Sequence, residues 1–189
     1  RVYFGEKSPL YSIVGGPGGP RELDFPDDTS ATGQRSNTYE GTGGVPGGSP
    51  LNRLMYAAKF SEPNIVLSSL IGPDSKILYD RDPLTRVRSV APWLRVDADP
   101  YPAVVDGRIV WLVDGYTTTD AYPNSARLRW SDATSDSLTV RRNVSVEQDY
   151  VNYVRNSVKA VVDAYDGTVS LYAWVASDPI LPAWQASFP

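Results

Sequence analysis

Residues 152–174 read NYVRNSVKAVVDAYDGTVSLYAW, and how this stretch is read decides the fold class. Two runs rich in Val, Ala, Leu and aromatic residues flank Asp166-Gly167. Asp-Gly suits a two-residue hairpin loop, because both central positions need positive φ. Pairing outward from that turn sets Tyr165 against Thr168, Ala164 against Val169, Val162 against Leu171 and Ala160 against Ala173. One face is then wholly apolar, and Leu171→Ala is expected to cost ~2–5 kcal/mol. The other face carries Lys159, Val161, Asp163, Tyr165, Ser170, Tyr172 and Trp174, an aromatic and polar surface suited to a second layer or a partner.

A second hairpin follows the same logic over Tyr101 to Thr117, with Asp106-Gly107 at its turn. Three helix starts share one grammar, a capping residue followed by Pro at the first helical position: Ser49-Pro50, Asp82-Pro83 and Asp178-Pro179. Apolar residues at helical spacing follow each: Leu51, Leu54, Met55 and Ala58; Leu84, Val87, Val90 and Ala91; Ile180, Leu181, Trp184 and Phe188. Val2-Tyr3-Phe4 and Tyr11 to Val14 read as short strands, and Asn64 to Tyr79 as strand or short helix. Residues 15–50 hold 10 of the 15 glycines and little to bury, which predicts a flexible, mostly irregular loop. The pattern predicts a single α+β domain over residues 1–189, an antiparallel sheet of β-hairpins flanked by a few short helices. A parallel doubly wound fold is disfavoured, since the clearest strand pairs close through tight turns.

The chain has 18 Lys and Arg against 22 Asp and Glu, a net charge of −4, with only Arg141-Arg142 adjacent among the basic residues. Nucleic acid is therefore not an expected partner. With no Cys and no His, thiol catalysis, disulfides, Cys/His zinc sites and imidazole-based triads are excluded. No cofactor, metal or catalytic residue is expected. No uninterrupted aliphatic or aromatic run, Ile109 to Val113 included, approaches the ~20 residues that span a bilayer. A start at Arg1, with Met55 the only methionine, reads as a processed product or a piece of a longer chain.

Several blocks carry a resemblance: Tyr3-Phe4-Gly5-Glu6, Tyr39 to Val45, Asp80 to Pro83, Arg86-Val87 with Val90-Ala91-Pro92, Asp99-Pro100-Tyr101, Trp111 through Pro123, Asn152 through Gly167, and Asp178 to Pro189. In this order they resemble an uncharacterised family, of the UPF class, of large bacterial multi-pass membrane proteins. Asn124, where an aromatic is expected, and Val175-Ala176-Ser177, less acidic than the usual linker, depart from the pattern. The resemblance implies an extracytoplasmic portion that follows a run of membrane helices, with no assigned activity and no family catalytic residues to carry over.

Candidate chemistry is thin. Gly41 to Gly48 lacks the lysine and spacing of a phosphate-binding loop. Asp97, Asp99, Asp114 and Asp120 are oxygen ligands of the kind calcium uses, but without calcium-loop spacing. Asp163 and Asp166 could pair as acid and base in glycan hydrolysis, and Ser157 and Lys159 could share a strand face as a Ser-Lys pair. Each has a plain alternative in turn formation, capping or solvation. Asn143-Val144-Ser145 matches a glycosylation sequon by composition alone. The aromatic, hydroxyl-rich run from Tyr116 to Pro123 suits sugar or extended-peptide contact. Candidate binding residues are Tyr116, Thr118, Asp120, Tyr122, Arg155, Asn156, Tyr172 and Trp174. The expected role is an interaction or ligand-binding module at the cell envelope, with a glycan or protein partner and with membrane attachment through segments outside this chain. The rival is a hydrolase of envelope polymers using carboxylates.

Overall fold

The computed structural model describes residues 1–130 and 150–188. The sequon at Asn143 and the pair Arg141-Arg142 lie outside them. The fold is α+β, and every strand pairing among the described residues is antiparallel. Where the sequence reads as one domain, these residues group into two compact units: residues 1–82 with Tyr165–Gly167, and residues 83–164 with Thr168 onward.

Unit 1 contains β1 (Tyr11–Val14), β2 (Glu22–Pro26), β3 (Gln34–Asn37), β4 (Val45–Pro46), α1 (Pro50–Phe60), α2 (Asn64–Leu67) and β5 (Lys76–Tyr79). A small sheet runs β1-β5-β4, and β2 pairs with β3. The region from Gly15 to Pro50 holds three short strands, β2, β3 and β4, and is irregular over most of its remaining length. Val2 to Phe4, predicted as strand, is not one. It gives unit 1 the buried Phe4 ring, which joins Val14, Tyr39 and Leu78 in an apolar cluster. Asn64 to Tyr79 resolves into both alternatives, a helical turn and a strand.

Helix α1 starts as predicted, with the Ser49 side chain accepting from Asn52 N. Its buried face is not the predicted one. Leu51, Leu54 and Met55 are exposed, while Ala57 is buried and the Tyr56 and Phe60 rings pack near Tyr79. Large rings at Tyr11, Phe60 and Tyr79 outcompete the leucines, since an aromatic side chain buries more area per position.

Unit 2 contains α3 (Pro83–Val90), β6 (Arg95–Val96), β7 (Tyr101–Val105), β8 (Arg108–Thr119), β9 (Leu128–Arg129), β10 (Tyr150–Val151), β11 (Tyr153–Asp163), β12 (Val169–Ala173) and α4 (Leu181–Ser187). Its main sheet runs β12-β11-β8-β6, with β7 also paired to β8. The β7–β8 hairpin turns through Asp106-Gly107 with φ of 49° and 76°, the predicted two-residue loop.

The other hairpin is offset. Ala160 pairs with Leu171 and Val162 with Val169, two residues away from the predicted register. The loop has four residues, Ala164 to Gly167, closed by Asp163 N donating to Thr168 O at 2.9 Å. Only Gly167 takes positive φ. The physical reason lies in Ala164: it is fully buried, and its N–H donates to Ile109 O at 3.0 Å, so β11 stays engaged with β8 beyond the predicted turn. An even offset preserves the sorting of faces. Val158, Ala160 and Val162 therefore still bury against Leu84 and Val87 of α3, Ala91 just after it, and Leu181 of α4.

Leu171, however, lies on the edge strand and is 38% exposed. Leu171→Ala is accordingly expected to cost about 1 kcal/mol, not the 2–5 kcal/mol of a core leucine. Urea denaturation followed by Trp fluorescence checks this, because all five tryptophans belong to unit 2. A loss above about 2 kcal/mol would restore the two-residue loop.

Candidate functional site

The main sheet of unit 2 has two unlike faces, set by strand alternation. Helices α3 and α4 cover one. On the other, the pairs Asp114–Lys159–Tyr172 and Tyr116–Asn156 place polar and aromatic side chains side by side across β8, β11 and β12. Among the described residues no helix covers this second face. Lys159 Nζ forms an ion pair with Asp114 Oδ1 and lies 5.9 Å from the Trp174 ring centroid. Tyr172 and Trp174 are 55% and 68% exposed, a large aromatic area left facing solvent.

Further along, the Tyr116 hydroxyl donates to Asp97 Oδ2 at 3.3 Å, and its ring meets Trp130 edge-on at 5.9 Å. Burial raises the Tyr116 pKa, and the charges of Asp97 and Asp114 raise it further, so the phenol remains a proton donor. Arg95 stacks over Trp130 at 5.2 Å. The face ends in a hollow of about 480 Å³ lined by Arg95, Thr118, Asp120, Arg127 and Tyr150. Asp120 Oδ2 is 3.7 Å from Arg127 Nη2, whose Nε donates to the Asp120 carbonyl.

Of the sequence-predicted residues, Tyr116, Thr118, Asn156, Tyr172 and Trp174 come together on or beside this face, and Asp120 joins at its end. Tyr122 and Arg155 do not. Tyr122 stacks on Tyr153 at 5.1 Å and is tied by backbone bonds to the Asn152 side chain. Arg155 pairs in register with the buried Thr117 and donates to Ser177 Oγ at 3.4 Å. Sequence reasoning missed Arg95, Trp130, Arg127 and Tyr150, which are brought in from separate segments and carry no local signal. Lys159 and Asp114 were legible as strand residues, but their pairing depends on the β8–β11 register.

The catalytic candidates disperse. A register shift between Asn156 and Val158 separates Ser157 from Lys159: the serine is buried and donates to Asp178, whereas the lysine meets Asp114 on the open face. The predicted shared face fails because a bulge breaks the two-residue period. Asp163 pairs with Arg108 at 3.1 Å, and Asp166 accepts from Thr42 N at 3.0 Å, so each has its own structural partner. Asp97 caps Asp99 N and accepts from Tyr116, while Asp114 and Asp120 are ion-paired. Among the described residues no three acidic side chains converge to hold a metal ion.

The profile of the Uncharacterised protein family (UPF0182) matches residues 1–189. The chain belongs to UPF0182. A UPF0182 protein of Streptomyces coelicolor is 54% identical over 192 residues, covering 100% of this chain and 19% of the relative. Those of Kineococcus radiotolerans and Tropheryma whipplei are 55% and 53% identical, again over 100% of this chain and 18% and 20% of theirs. The chain thus spans about a fifth of the length of these UPF0182 relatives. No solved structure matches it. Among the described residues no helix is long and apolar enough to cross a membrane.

Proposed function

We propose that this UPF0182 segment is an extracytoplasmic, non-catalytic binding module of an integral membrane protein, and that its open sheet face holds an envelope glycan. Membrane attachment lies outside the chain in this reading. The observation that carries it is the face itself: exposed Tyr172 and Trp174 beside the Lys159–Asp114 pair, continuing to Tyr116 and Trp130. Aromatic faces stack on the apolar faces of sugar rings, while flanking charged and amide groups bond their hydroxyls. A nucleic acid is disfavoured by the net negative charge of −4. A hydrolase gains no support, since the carboxylates that would form its acid and base are engaged separately.

One test addresses both halves of the reading. The 189-residue chain is sedimented with purified bacterial cell walls, and the double variant Tyr172→Ala, Trp174→Ala is expected to lose about tenfold in apparent affinity. In parallel, Ala31→Cys in a cysteine-free full-length protein should react with a membrane-impermeant maleimide on intact cells. Ala31 is exposed between β2 and β3 and makes no side-chain bond. Wall binding that survives the double variant defeats the site. Labelling seen only after lysis defeats the location.

A further inference from the structure

The large cleft of unit 1 is distinct in chemistry from the sheet face. It measures about 730 Å³, within the ~300–1,000 Å³ typical of small-molecule sites. Its apolar wall comes from Ile13 and Val14 of β1, Ile65 of α2 and the following Ile71; Val14, Ile65 and Ile71 are almost fully buried. Polar side chains of the lining include Tyr3, Arg21, Glu22, Glu62 and Arg81.

The two carboxylates are already served by protein donors. Glu22 accepts from the Tyr3 hydroxyl at 2.5 Å and from Gly15 N at 2.8 Å, and Glu62 accepts from Asn64 N at 3.3 Å. Arg81 is not. Its Nε donates to the Tyr3 carbonyl at 2.6 Å, and among the described residues no carboxylate pairs with it. Burial lowers its pKa from the ordinary arginine value, with no neighbouring negative charge acting to raise it. A half-buried guanidinium without a counter-ion is a costly arrangement, and its planar fork matches carboxylate and phosphate oxygens.

We propose that this cleft binds an anionic amphiphile, with its carboxylate or phosphate head on Arg81 and its alkyl chain along Ile13, Ile65 and Ile71. Continuity of apolar surface supports the tail. Leu70 lines the cleft, and Val66, Leu67 and Leu70 are 42%, 79% and 58% exposed. An alkyl chain leaving the cleft would cover side chains that otherwise face water.

The test is calorimetric titration of the 189-residue chain with hexadecanoate and hexadecyl phosphate below their micellar concentrations. Hexadecan-1-ol supplies the tail without the charge, and acetate the charge without the tail. At least one anionic amphiphile is expected to bind about tenfold or more tightly than the alcohol, with acetate not detected. The tighter of the two identifies whether the head comes from a fatty acid or from a lipid phosphate. Arg81→Gln should bring that ligand down to the level of the alcohol, and Arg81→Lys should keep part of the difference. Equal binding of acid and alcohol by the unaltered chain overturns the proposal, and that comparison needs no variant to fold. Binding of neither anionic amphiphile, or an Arg81→Gln preference that survives, overturns it equally.

Discussion

Asp178→Ala should destabilise unit 2 by about 3–5 kcal/mol, the range for breaking a buried, fully bonded charge. Asp178 is 1% exposed. Its Oδ2 accepts from the hydroxyls of Ser157 and Thr117, and its Oδ1 from Ile180 N at 2.7 Å and Leu181 N at 3.3 Å. One side chain therefore joins β8, β11 and the start of α4. Removing it leaves the Ile180 and Leu181 N–H groups without their acceptor and takes from the Ser157 and Thr117 hydroxyls their charged partner, leaving Thr117 only the longer bonds to Arg155 O and Ser157 Oγ, both at 3.3 Å. Burial alone would raise the Asp178 pKa, but the four donors outweigh it, and the value lies below the ordinary 3.8.

The sign of the pH effect follows from that depression. Because the folded-state pKa is the lower one, the stabilisation is present in full above pH 3.8 and is lost as pH falls through the folded value. Asp178→Asn should remove this part of the acid limb as well as much of the stability at neutral pH. Trp fluorescence in urea between pH 3 and pH 7 reads both. An Asn variant as stable as the parent at pH 7, with an unchanged acid limb, would show that the charge at this position does not matter.

Legibility in the sequence followed the range of the forces involved. Features fixed within a few residues were readable: the Asp106-Gly107 turn, the Ser49-Pro50 helix start and the alternation of Val158, Ala160 and Val162. Asp178 was read as the cap of a helix starting at Pro179; α4 starts two residues later, at Leu181, and Asp178 bonds Leu181 N and the Ile180 N that precedes the helix. Its links to Thr117 and Ser157, 61 and 21 residues away, carry no local mark. The Asp166-Gly167 turn failed for the same reason. Local chemistry allowed a two-residue loop, but Ala164 N gains a bond to Ile109 O that only the folded sheet supplies.

The candidate site divides the same way. Tyr172 and Trp174 were legible because strand alternation alone sends them away from the apolar face. Arg95 and Trp130 could be added only with the register of β6 and β8 in hand. Arg81 stands between Asp80 and Asp82, and nothing local in the sequence marks it as lining a cleft. Charge neighbours in sequence are not counter-ions unless the side chains meet.

Gly48→Ala should destabilise unit 1 by about 3 kcal/mol, at the upper end of overpacking costs. The sequence treats Gly41 to Gly48 as flexible for lack of side chains to bury, yet the missing side chains are what let other backbone approach. A Cβ on Gly48 would stand 2.3 Å from the Pro73 carbonyl oxygen and 2.6 Å from that of Gly72. Both are backbone atoms, so no rotamer change relieves the clash, and one of two chain segments must move. Gly33 offers the contrast. It takes φ of +67° with nothing near its Cβ position, so Gly33→Ala carries only left-handed strain, roughly 1 kcal/mol. Unit 1 has no tryptophan, which makes amide hydrogen exchange of β5 the suitable measurement. Exchange there should accelerate by more than tenfold in Gly48→Ala and by much less in Gly33→Ala. Similar exchange in both would mean that the backbone around Gly48 yields as a loose loop does, and that its glycines are there for freedom and not for contact.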